Sequence, residues 1–101
     1  MNHFFGKLLP PRATFPVDMT PDEALLMKAH AAYWRELMEQ GLVVVFGPVA
    51  DPVSAYGILV LQLPDGSRPD ELLDGDPVVK AAAGFRFEIY PMRAVLPDPA
   101  R

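Results

Sequence analysis

The chain has 101 residues and no cysteine. That absence excludes a disulfide framework, a thiolate zinc site and a catalytic thiol. Histidine is nearly as scarce, with His3 and His30 far apart and no second histidine at helical spacing. A metal centre would have to rest on His30 with carboxylates such as Asp51, so no metal and no cofactor are expected. Nine Lys plus Arg stand against 13 Asp plus Glu, a net charge of −4, and the basic residues are scattered singly. A nucleic-acid surface needs a clustered positive footprint, which is missing. The longest apolar runs, at 42–46 and 57–61, fall far short of the roughly 20 residues of a membrane span. Residues 1–7 show neither a basic leader nor a long apolar stretch. The expectation is a cytoplasmic protein with no nucleic-acid or membrane partner.

What the chain does have is apolar residues, 50% of the total, enough for one hydrophobic core in a single domain over residues 1–101, with 96–101 a fraying tail. Thr20-Pro21-Asp22-Glu23 opens a helix, combining an N-cap hydroxyl, proline at the first helical position and a capping-box glutamate. Leu26, His30, Tyr33 and Leu37, with Met27, Trp34 and Met38, draw its apolar stripe, and Gly41 ends it. Strands are read at 3–9, 42–46, 55–61 and 85–90. Between the last two, Ser67 to Ala83 reads as a broken helix, with starts at Pro69-Asp70 and Asp76-Pro77 and a stop at Gly75.

Strand, helix, strand, strand, broken helix, strand implies an α+β chain of βαββαβ order. The expected architecture is ferredoxin-like, a four-stranded antiparallel sheet with its helices on one face. Val43 and Val45 oppose Val44 and Phe46 by strand alternation, and Ile58 and Val60 oppose Leu59 and Leu61, so both sheet faces are apolar. Helices cover one face only. A homodimer joined through the other is the economical expectation, with folding of the 10–19 loop over that face as the alternative.

His30 is the residue most open to a chemical reading, an imidazole on the apolar side of a helix. One reading is a packed histidine bonded to a backbone carbonyl; the other is a general base oriented by Asp51 in the Gly47–Pro52 connection. Asp51-Pro52 and Asp76-Pro77 are both also ordinary turn or cap chemistry. Ser54 and Ser67 lack the context of an activated nucleophile.

Pro10-Pro11-Arg12, Thr14-Phe15-Pro16, Asp18-Met19-Thr20, His30-Ala31-Ala32-Tyr33-Trp34, Gly47-Pro48-Val49-Ala50-Asp51, Asp76-Pro77 and Phe87-Glu88-Ile89-Tyr90-Pro91, in that order, resemble the YciI-like (YCII-related) family in its longer-loop branch. The resemblance implies a ferredoxin-like protomer of a dimeric α/β barrel, with a helix histidine and a loop aspartate, here His30 and Asp51, as a proposed active-site pair.

Two functions compete on these grounds. The first is a cofactor-independent enzyme of lyase, isomerase or dehalogenase type. It would move a proton on a small organic acid with His30 as base and Asp51 as orienting group, Arg12 or Arg86 as anion clamp, and Tyr33, Trp34 and Tyr56 as pocket walls. The second is a non-catalytic module that holds a small molecule or regulates a partner.

Overall fold

A computed structural model describes residues 1–98, so the expected fraying of 96–101 lies partly outside the described residues. Helix α1 (Pro21–Glu39) begins as expected: the Thr20 hydroxyl accepts from Glu23 N, and the Glu23 carboxylate accepts from Thr20 N. It ends at Gly41, whose φ of +82° places it in the left-handed region that favours glycine. Leu42 N donates to Leu37 O and Gly41 N to Met38 O, so the last helical carbonyls are satisfied as the chain turns away.

The strands are β1 (Asn2–Leu9), β2 (Val43–Val49), β3 (Tyr56–Leu63) and β4 (Arg86–Met92). They form one antiparallel sheet in the order β2-β3-β1-β4. With the helices on one face, this is the ferredoxin-like arrangement expected from the element order. The broken helix is present as α2 (Asp70–Asp74) and α3 (Pro77–Lys80).

Two expectations about β2 need correction. The strand continues through Gly47-Pro48 to Val49 instead of stopping there. As an edge strand it tolerates a residue without an N–H, because one of its sides has no ladder to feed. A bulge between Val43 and Val45 also breaks the simple alternation: Val43 pairs with Leu61 and Phe46 with Leu59, so both face the helices. Val45, paired with Val60, points to the other face and is 45% exposed.

On the covered face, Trp34, Val43, Leu59, Leu61, Leu63 and Leu73 form one buried cluster. Leu8, Val78 and Phe85 form a second, packed by Phe15, Leu26 and Met27. The first cluster packs closely on β1 at Gly6, where an added Cβ would lie 3.0 Å from Leu59 Cγ. Phe15 places the 10–19 loop on the helix side of the sheet, with its ring 5.3 Å from Phe85 in an edge-to-face contact. Arg12 fastens that loop to the start of α1, with both terminal nitrogens on the Glu23 carboxylate at 2.7 Å and Nε on Asp18 at 2.9 Å. No helix among the described residues is long and apolar enough to cross a membrane.

Candidate active site

Asp76 is the N-cap of α3: its backbone is extended (φ −65°, ψ 130°), Pro77 follows at the first helical position, and Oδ1 accepts from Val78 N at 3.0 Å. Capping engages one carboxylate oxygen and leaves the other. Oδ2 meets two donors one turn apart on α1, Nδ1 of His30 and Nε1 of Trp34, each at 2.6 Å. Residues four apart share a helix face, so a single oxygen receives both. The Asp76 side chain is fully buried and carries three hydrogen bonds. Three donors are what a carboxylate removed from water requires.

The same contacts settle how His30 is oriented. An ionised carboxylate has no hydrogen to donate, so the tautomer that fits the short contact carries its N–H at Nδ1 and donates it to Asp76. The opposite ring nitrogen, Nε2, is left for the cavity that His30 lines. This cavity of about 380 Å³ lies between the two buried clusters, roofed by Met27, His30, Ala31 and Trp34 of α1 and floored by the sheet. Its volume is near the lower end of ordinary ligand sites. Phe15, Pro16 and Met19 close one side, so the 10–19 loop is part of the wall.

The other residues singled out in the sequence have separate positions. Asp51 does not orient His30; its Oδ1 accepts from Val53 N at 2.8 Å and Ser54 N at 3.3 Å, a local turn that organises the loop between β2 and β3. Arg12 is engaged by Glu23 and Asp18, an arrangement that raises its own pKa, lowers that of Asp18 and holds the Glu23 carboxyl at about 2. In each case the side-chain hydrogen bond involving Arg12 is the leading cause. Arg86 is exposed on β4, outside the cavity wall.

Tyr33 stands beside the site, not in it. Its hydroxyl donates to Leu72 O at 2.6 Å and its ring meets Trp34 edge to face. Burial, with the Asp76 charge adding to it, raises its pKa. Trp34 does line the cavity. Tyr56 reaches it where β3 begins, while its ring belongs by alternation to the uncovered face, with Lys7 Nζ 4.3 Å from the ring centroid.

The residue that sequence reasoning did not choose is Asp76, whose Asp-Pro has the same double reading as Asp51 and whose place as a helix cap needs no catalytic role. Its second role depends on a contact 46 residues away from it in sequence. The available signal was the His30/Trp34 pair at i and i+4, two N–H donors on one helix face that both require an acceptor once buried. Among the described residues no group of three or more His, Asp and Glu side chains is arranged to hold a metal ion.

No curated protein matches the chain. Among solved structures, a formyltetrahydrofolate deformylase from Pseudomonas putida KT2440 is similar over 89% of this chain, at 15% identity and a TM-score of 0.44. The aligned region is only 28% of that longer protein. The YCII-related domain family matches residues 13–93, a span that includes α1, both central connections, the Asp76 cap and all of β4. By that match over most of its length, the chain belongs to the YCII-related domain family.

Proposed function

We propose that the protein binds a small molecule in the cavity beneath α1 and moves a proton on it, with His30 Nε2 as the acid–base atom and Asp76 as the group that orients it. The carrying observation is the 2.6 Å contact with Asp76 made by His30, a residue that lines the cavity. A histidine whose Nδ1–H is held by a carboxylate presents a fixed lone pair at Nε2, and the same carboxylate stabilises the imidazolium formed when that lone pair takes a proton. Nothing in this arrangement supplies a nucleophile, so isomerisation or elimination next to a carbonyl fits it better than acyl transfer.

Exchange of substrate protons tests this without knowledge of the end product. A panel of small carbonyl compounds incubated with the protein in deuterium oxide should gain deuterium, read by mass spectrometry, and His30→Asn should abolish the gain. Compounds that stabilise the fold yet never exchange would make the protein a binding module.

The assembly that fits this site is a homodimer joined through the uncovered sheet face. The 10–19 loop is engaged on the opposite side, and Val45, Tyr90 and Met92 stand 45%, 52% and 36% exposed. Apolar strand residues left open in this way favour a second copy. Sedimentation should give twice the 11.1 kDa of the chain, and Val60→Glu should return the monomer.

A further inference from the structure

The wall of the cavity carries information about its ligand that the dyad alone does not. Five aromatic rings, Phe15, Trp34, Phe46, Phe85 and Phe87, face it together with Met19 and Met27. Phe15 meets Phe85 edge to face at 5.3 Å, and Trp34 meets Phe87 at 6.1 Å and 73°, so the rings turn edges and faces in several directions around one space. Edges of one ring set against faces of another are the contacts a flat aromatic guest makes best. An apolar cavity of roughly 150 Å³ accommodates one benzene ring. At about 380 Å³ this one has room for two fused rings.

The polar side is sparse. Among the described residues no Lys, Arg, Asp or Glu lines the cavity. The indole N–H of Trp34 is held by Asp76, and the Tyr56 ring is paired with Lys7 on the other face. His30 Nε2 is the remaining side-chain nitrogen, and in the neutral imidazole, with Nδ1–H donated to Asp76, it is an acceptor. A carboxylate ligand would bring a second negative charge close to Asp76 and leave an oxygen against phenylalanine and methionine with no donor. A single hydroxyl has the donor that Nε2 lacks.

We infer that the cavity takes a neutral, flat aromatic molecule of one or two rings carrying one hydroxyl, which donates its O–H to His30 Nε2. This rests on the proton-transfer reading for its orientation of His30 and names the ligand class of that site. If the proton crosses, the O–H bond breaks with its electron pair left on oxygen. Nε2 gains the proton, and the imidazolium stays paired with Asp76.

Three probes of one shape test it: 2-naphthol, its methyl ether and 2-naphthoate, each titrated into the protein by calorimetry with the Trp34 indole N–H followed by NMR. The naphthol should bind at least about tenfold tighter than either companion, because one lacks the donor and the other carries an unpaired buried charge. His30→Phe should level naphthol with its ether. Naphthoate binding as tightly as naphthol, ether equal to naphthol in the unaltered protein, or no binding by any probe would each overturn the ligand class. The wild-type comparison stands even if the variant does not fold. Naphthol preference without any deuterium exchange on the carbonyl panel supports the ligand class while removing the proton-transfer reading. Exchange accompanied by naphthoate preference does the reverse.

Discussion

Two helix starts in this protein use carboxylates in opposite ways. At α1 the Glu23 carboxylate closes a capping box and is clamped by Arg12, which also holds Asp18. The hydrogen-bond donors to Glu23 are a full positive charge and a backbone N–H, and the result is a fixed attachment of the 10–19 loop. At α3 the Asp76 carboxylate caps with one oxygen and offers the other to His30 and Trp34 in a place with no arginine. An imidazole in place of a permanent cation is the difference on which the proposed proton transfer rests. The first cluster is structural because it is saturated; the second is chemically open because one ring nitrogen of His30 still faces a cavity.

The largest expected effect comes from emptying the second cluster. Asp76→Ala leaves the indole N–H, the imidazole N–H and Val78 N without an acceptor, and should destabilise the fold by about 3–5 kcal/mol in urea unfolding. Asp76→Asn sharpens the contrast, since it preserves the cap through its carbonyl oxygen. Its amide N–H₂ then faces both His30 Nδ1 and the Trp34 indole N–H, so Nδ1 must become the acceptor, Nε2 must carry the hydrogen, and the indole loses its acceptor. Nitrogen NMR of the ring should show that tautomer change in a folded protein, and binding of hydroxyl probes should fall. An unchanged tautomer would mean that Asp76 does not set the orientation of His30.

A smaller effect should follow from crowding the joint between α2 and α3. A Cβ on Gly75 would collide with the Tyr33 hydroxyl, which is anchored to Leu72 O. Gly75→Ala should therefore cost about 1–3 kcal/mol, and displacement of Tyr33 should appear as a changed Trp34 indole resonance, because the two rings are in contact. At the other cluster Thr20→Ala removes one cap and should cost about 1 kcal/mol in the same unfolding experiment. It should leave that resonance in place.

The difference between the clusters also explains what was legible in the sequence. Local patterns were readable: the capping box at Thr20–Glu23, the stop at Gly41 and the break at Gly75-Asp76-Pro77 are each set by residues within one turn of one another. Element order then led to the ferredoxin-like sheet. The bulge in β2 was not readable, because which of three successive valines drops out of register is decided by packing against Leu59 and Leu61 on β3. The partner of His30 was missed for the same reason. Asp51 follows the strand next to α1, whereas Asp76 reaches the helix only through the packing of α3 on α1, and both are Asp-Pro sequences. Arg12 looked available as an anion clamp because Glu23 already had a local role in the capping box, and a second role across the loop leaves no local trace.

The smallest effect concerns acid. The Arg12 hydrogen bonds hold Glu23 at about 2 against an ordinary value of 4.5. A carboxyl with a depressed folded-state pKa binds protons more readily when unfolded. Its stabilising contribution is therefore present in full above the unfolded value and is lost as pH falls from 4.5 through about 2. Glu23→Gln keeps an acceptor oxygen for Thr20 N and Arg12 Nη2 but removes the charge and, with it, the acceptor of Arg12 Nη1. Wild type should be the more stable of the two at neutral pH, and the gap in urea midpoints should close across that acid window. Added salt should narrow it as well, because the cluster lies near the surface. A gap that persists at the acid end would mean that hydrogen-bond geometry, not charge, fastens the loop to α1. The Arg12 cluster would then resemble the Asp76 site more closely than its saturated charges imply.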